Sequence, residues 1–345
     1  MRAEDSRNQW DWKKLFWITV TICLVILFIS NVYRFRNEYT NWENLQNQTD
    51  SSLNKAISFQ EAGMFLEAKV EYEGILRNIS HNQFPDQYSI TQNKLGDIYL
   101  NLAQVQDRES YLNKAIKAYW ESMKRSTNDY YSIDYGETYN NLGDAYSGLA
   151  EIRDNRTNLE KAINAYQEAL RKRPVENFPM GYGRIQNNLG NAYGRLAEVT
   201  NRESDIENAI NATKEALKVY KADNNPLEYA DTQNNLGNEY RILAEVRDKI
   251  PNLDNSFQAH NEALKIYTPE NHPLGYASTQ NYLGNAYRSL AEVSDNEINL
   301  KKAIIAYQEA LKIITKEEYP EKYQMIKSNL ERTQMLQNNI SFTKE

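Results

Sequence analysis

One interval constrains this chain more than any other property. Tyr88, Tyr135, Tyr182, Tyr229, Tyr276 and Tyr323 stand 47 residues apart, and Leu95, Leu142, Leu189, Leu236, Leu283 and Leu330 keep the same spacing. Gly96, Gly143, Gly190, Gly237 and Gly284 follow the leucines directly. Pro85, Pro179, Pro226, Pro273 and Pro320 hold the same phase, with Ser132 in the one remaining slot. A fixed period of this length marks a repeat architecture in which no unit buries its apolar face alone, so stability comes from stacking on neighbours. The 345 residues therefore read as one elongated array rather than as two or three globular domains.

Each unit reads as two helices. The first opens at the phased proline, whose fixed φ and missing N–H suit a first helical turn. It continues through stretches such as Tyr229 to Val246. After a polar turn such as 153–156, the second helix is expected to start on capping boxes at Thr157…Glu160 and Ser204…Glu207. It then runs as Leu159-Glu160-Lys161-Ala162-Ile163-Asn164-Ala165-Tyr166, apolar at i, i+3, i+4 and i+7. With only 13 Gly and 8 Pro, a turn-rich sandwich or barrel is excluded in favour of helix.

Leu142-Gly143-x-x-Tyr146, then Ala162-x-x-x-Tyr166-x-x-Ala169, then Pro174 resemble the tetratricopeptide repeat (TPR) in order and spacing. The family unit is 34 residues. The longer period here resembles the long-helix variants of kinesin light chains and of prokaryotic multi-repeat proteins. The resemblance covers roughly residues 53–338 and implies an all-α, right-handed solenoid of antiparallel helix pairs. The expected layout is a short first pair at 53–80, five units over 85–320, a capping helix at 321–338 and a tail at 339–345. Gly96 and its equivalents, opposite Ala115, Ala162, Ala209 and Ala303, are expected to let paired helices approach closely, with Tyr99, Tyr146, Tyr193, Tyr240 and Tyr287 in the next layer.

Residues 15–33 form an uncharged, nearly wholly apolar run. At about 1.5 Å per residue it is long enough to cross a bilayer. Trp10, Trp12 and Trp17 on one side and Tyr33, Tyr39 and Trp42 on the other suit the two interfaces. Ser30-Asn31-Val32-Tyr33 offers no small-residue cleavage site, so the segment is expected to stay as a transmembrane helix, with residues 1–14 as its flank and 34–52 as a polar connector. Arg2, Arg7, Lys13 and Lys14 outnumber Arg34 and Arg36, which places the N-terminus in the cytoplasm and the repeat body outside. Residues 1–36 carry +3 and the rest of the chain −10. An acidic body argues against nucleic acid as a partner.

In the family the first helix of each pair lines the concave face, so the resemblance directs attention to two rows. Asn93, Asn140, Asn187, Asn234 and Asn281 stand two residues before the phased leucine, and Asp97, Asp144, Asn191, Asn238 and Asn285 two after it. Members of a pair are four apart and share a helix face. A side-chain amide both donates and accepts, so stacked units would offer a ladder able to grip an extended peptide backbone. The competing reading is solvation or bonding between repeats. Arg241 and Arg288 lie one turn further on, with Arg184 and Arg195 nearby in the third unit; they can meet carboxylates of a ligand or of the body itself.

No phosphate loop, G-x-S-x-G or H-E-x-x-H motif is present, and the single Cys23 and three histidines supply no metal centre. His260 fills a slot that holds Tyr119, Tyr166 or Tyr307 elsewhere, as a packing substitute. No cofactor, no metal and no enzymatic activity are expected. The sequence thus points to a membrane-anchored scaffold that binds protein or peptide segments. The alternative is a structural protein that self-assembles at the envelope, and an enzyme is a distant third.

Overall fold

The computed structural model describes residues 12–124 and 135–342. The expectations attached to Arg2, Arg7, Trp10 and Ser132, and the end of the tail at 343–345, lie outside these residues. Among the described residues there are thirteen helices and no strand. α1 (Trp12–Glu61) and α2 (Phe65–Asn78) form the first pair. Five further pairs follow: α3 (Pro85–Leu102) with α4 (Arg108–Ser122), α5 (Tyr135–Ala150) with α6 (Asn155–Lys172), α7 (Pro179–Thr200) with α8 (Glu203–Val219), α9 (Pro226–Ala244) with α10 (Lys249–Leu264), and α11 (Pro273–Leu290) with α12 (Asn296–Leu311). α13 (Pro320–Phe342) closes the array and extends beyond the expected 338.

The segment read as an anchor, the connector and the first repeat helix are a single helix of 50 residues, about 75 Å long. Its apolar part is exposed and packs on nothing. Contact with the array begins at Trp42, whose indole stacks on Phe84 at 5.6 Å, and at Leu45, which joins the first core cluster. Gly63 (φ +73°) then takes the left-handed turn into α2.

Within each unit the phased glycine is needed for close approach. A Cβ on Gly96 would come within 2.5 Å of the Tyr119 ring, and one on Gly284 within 2.6 Å of Tyr307. The group beneath the glycine is an aromatic ring of the second helix in every unit but the third, where it is Thr213, and the buried alanine, or Ser256 in the fourth unit, sits one turn earlier. The expected capping boxes are absent: α6 starts at Asn155 and α8 at Glu203, neither with a side-chain cap, so Thr157 and Ser204 lie inside the helices. A different device sets each turn. Asp107, Asp154, Asn201, Asp248 and Asp295, again 47 apart, hold positive φ between 41° and 52°. Asp and Asn tolerate this region better than other side chains. In three units an Asn in the new first turn ties back, as Asn158 Nδ2 does to the Arg153 carbonyl at 2.8 Å, Asn252 to Arg247 and Asn299 to Ser294.

In α13 the glycine slot holds Glu331, and Thr333 is fully buried beside Tyr307.

Candidate functional site

Members of the two rows singled out in the first helices bond across the joints between units. In the first row, Asn140, Asn234 and Asn281 are buried and Asn93 and Asn187 half-buried. Asn93 Nδ2 donates forward to Thr138 Oγ1 at 2.6 Å, and Asn234 Nδ2 to Thr279 Oγ1 at 2.8 Å. Ile185 replaces that threonine in the third unit, and Asn140 instead donates to Asp144 Oδ2 at 3.3 Å.

The acceptors of this row are taken by a neighbouring row that the sequence reading passed over. Asn188 Nδ2 donates to Asn140 Oδ1 at 3.2 Å, Asn235 to Asn187 at 3.0 Å and Asn329 to Asn281 at 3.5 Å. The reach is 48 residues, one unit plus one residue. The sequence signal for this row is the doublets Asn140-Asn141, Asn187-Asn188 and Asn234-Asn235, whose second members supply the donors. The fifth unit breaks the series with Tyr282. There His260 Nδ1 bonds Asn234 Oδ1 at 3.1 Å, and the Tyr282 ring stacks on the imidazole at 5.6 Å and 13°. His260 sits beneath Gly237 in the tyrosine slot, and burial with the nearby Arg241 pushes its pKa down to about 3.

In the second row, Asp97 Oδ1 accepts from Tyr119 Oη at 2.9 Å and Asn141 Nδ2 at 3.0 Å. Asp144 Oδ1 accepts from Tyr166 Oη at 2.7 Å and Asn188 Nδ2 at 3.0 Å. Burial pushes the Asp144 carboxyl up to about 6, against the pull of the Tyr166 bond and Arg184. Asn285 accepts from Tyr307 at 2.7 Å, and Asn238 from Arg241 Nε at 3.1 Å. Asn191 alone of this row is exposed. Its usual hydroxyl partner is missing, because the tyrosine slot of the third unit holds Thr213, which donates instead to Glu239 Oε1 at 2.6 Å.

Three arginines are tied to the body. Arg184 pairs with Glu137; Arg195 donates to Ser147 Oγ at 2.8 Å and lies 3.4 Å from Glu151; Arg241 lies 3.2 Å from Glu198. Arg288 is tied to the Tyr307 hydroxyl, while its Nε is buried with no hydrogen-bond partner. The face opens between α7 and α9, where Arg184 and Asn187 line a cavity of about 350 Å³ together with Arg173, Tyr220, Glu228 and Asp231. Both charge signs and an amide converge there, one helical turn from the free Asn191. Among the described residues no group of three His, Cys, Asp or Glu side chains could hold a metal ion.

No protein-family model and no curated protein matches the sequence. Among solved structures the chain is similar to one from the APC/C hetero-tetramer Cut9-Hcn1, with 19% identity over 83% of this chain and 42% of that one and a TM-score of 0.49. It is also similar to the S. pombe nuclear import adaptor Nro1 (15% identity, 82% and 99% covered, TM-score 0.42) and to a tetratricopeptide repeat protein from Parabacteroides merdae (16%, 83% and 98%, 0.41). The chain spans less than half of the first of these.

Proposed function

We propose that this TPR-like array is a membrane-anchored scaffold whose first-helix face binds extended segments of protein partners. The observation that carries the reading is the opening between α7 and α9, a cavity lined by Arg184 and Asn187 one turn from the exposed Asn191, whose equivalents Asp97, Asp144 and Asn285 are each spent on the tyrosine of their own unit. Amides at Asn187 and Asn191 engage a peptide backbone in either polarity. Arg184 takes a carboxylate of the ligand, and Glu228 a cation. The remaining members of the two rows hold the spacing between units and so the register of the groove. Among the described residues one helix is long and apolar enough to support an anchor, and the basic residues before it favour that flank inside with the array outside.

The test is selection from a displayed library of random peptides on the full-length chain in detergent, beside Arg184→Ala/Asn187→Ala/Asn191→Ala. Recovery falling at least tenfold in the triple variant, with unchanged helical circular dichroism, supports the groove. Equal recovery refutes it.

A further inference from the structure

The array supplies its own control for which side chains packing requires. On the second-helix side, between α4 and α6 and floored by α5, lies a slot of about 460 Å³ lined by Trp120, Tyr139, Leu142, Tyr146, Lys161 and Glu168 among others. That volume is within the range of ligand sites, roughly 300–1,000 Å³. Four of these positions recur from unit to unit in kind or size: leucine at 142, 189, 236 and 283, tyrosine at 146, 193, 240 and 287, and glutamate at 168, 215, 262 and 309, with lysine at 114, 161 and 302.

The other two do not recur. Position 120 becomes Gln167, Lys214, Asn261 and Gln308 in later units, and position 139 is Gln92, Gln186, Gln233 and Gln280 elsewhere. The internal duty of position 120 is met equally by an amide. Trp120 Nε1 donates to Tyr146 Oη at 3.1 Å, and Gln167 Nε2 donates to Tyr193 Oη at 3.0 Å. Trp120 joins no core cluster and keeps 48% of its surface exposed, whereas Tyr139 packs against the two adjoining core clusters with its remaining surface on the slot. A large apolar ring left half in water, where the sister units place an amide or, in one case, a lysine, costs solubility without a packing return.

We propose that this slot is a binding site for an aromatic ring. Trp120, Tyr139 and Tyr146 put three aromatic side chains in the lining, a composition suited to offset or edge-to-face stacking with a further ring. Lys161 already lies over the Tyr146 ring, 5.5 Å from its centroid, and offsets a cationic ligand. With Lys161 and Glu168 as the charged members of the lining, the charge of the slot balances, which selects a ring that is neutral overall. The site is separate from the groove on the first-helix face, so either can fail without the other.

The experiment is ligand-observed saturation-transfer NMR on the full-length chain in detergent with 1-naphthol, cyclohexanol as a non-aromatic control, and N-acetyltryptophanamide as a peptide-borne ring. The same titrations are run on Trp120→Gln and Tyr139→Gln, both residues that other units already tolerate. The slot predicts naphthol binding that weakens at least tenfold in both variants, no matching loss for cyclohexanol, and unchanged helical content. Competition of N-acetyltryptophanamide with naphthol in the wild type upholds the site and assigns the ring to a peptide; naphthol binding without that competition upholds it for a free molecule. Naphthol binding equal in wild type and both variants, or cyclohexanol binding as well as naphthol, overturns it.

Discussion

Glu239 gives the array a pH-dependent joint. It is 2% exposed at the contact of α9 with α7 and α8, with one carboxyl oxygen bonded to Thr213 and Oε2 without a hydrogen-bond partner. Burial raises its pKa from the ordinary 4.5 to about 8, against the smaller opposing effects of Thr213 and Lys214. The native state thus holds a proton that the unfolded chain releases above pH 4.5. Stability from the neutral carboxyl is fully present below 4.5 and is lost as pH rises, at ~1.4 kcal/mol per pH unit, until about 8. The whole window is worth on the order of 5 kcal/mol. Glu239→Gln keeps the shape and removes the titration. Thermal midpoints followed by circular dichroism at pH 5, 7 and 8.5 should therefore converge for wild type and variant at pH 5 and separate increasingly above it, with the variant higher. Parallel midpoints across the range would refute the argument. A second variant guards against a trivial result. Tyr119 and Tyr166 each stand 26 residues before an alanine, Ala145 and Ala192, whereas Thr213 precedes Glu239 by the same step. Thr213→Tyr/Glu239→Ala restores the pairing of the other units and should likewise flatten the profile, while Thr213→Tyr alone overfills the joint.

Two further outcomes follow from the same packing. His260 has its pKa lowered from 6.5 to about 3, so the stability it confers as a neutral ring is present above pH 6.5 and lost as pH falls; His260→Tyr, the residue of sister units, should remove the part of the acid-induced drop in thermal midpoint that lies between about pH 6 and 3. Gly143→Ala places a methyl against the Tyr166 ring and should destabilise by about 1–3 kcal/mol by urea unfolding, although alanine is the better helix former; an unchanged midpoint would mean that the α5–α6 pair can yield.

The fold was legible because repetition multiplies weak signals. One leucine-glycine pair means little, but five in phase fix the helix pairs and their order. The helix starts were misread because Ser and Thr near a helix N-terminus imitate capping boxes, whereas the turn rests on an aspartate or asparagine in the left-handed region, and a tolerated φ leaves no pattern in a single unit. The candidate rows were found as positions but not as partners. Whether Asn140 faces a ligand or Asn188 depends on a contact 48 residues away, which helix periodicity does not report. The pairing of Thr213 with Glu239 was likewise visible only as two separate departures from the repeat until packing joined them.

The unbroken α1 has a mechanical consequence. A helix that runs from the apolar segment into the first pair without a swivel acts as a threaded post. Each residue added between Arg34 and Trp42 would turn everything above it by about 100° and lift it by about 1.5 Å. The compass bearing of the array about that post is thus written in the length of a stretch that makes contacts only along α1 itself, and an insertion there would redirect the two proposed faces without altering a residue in them.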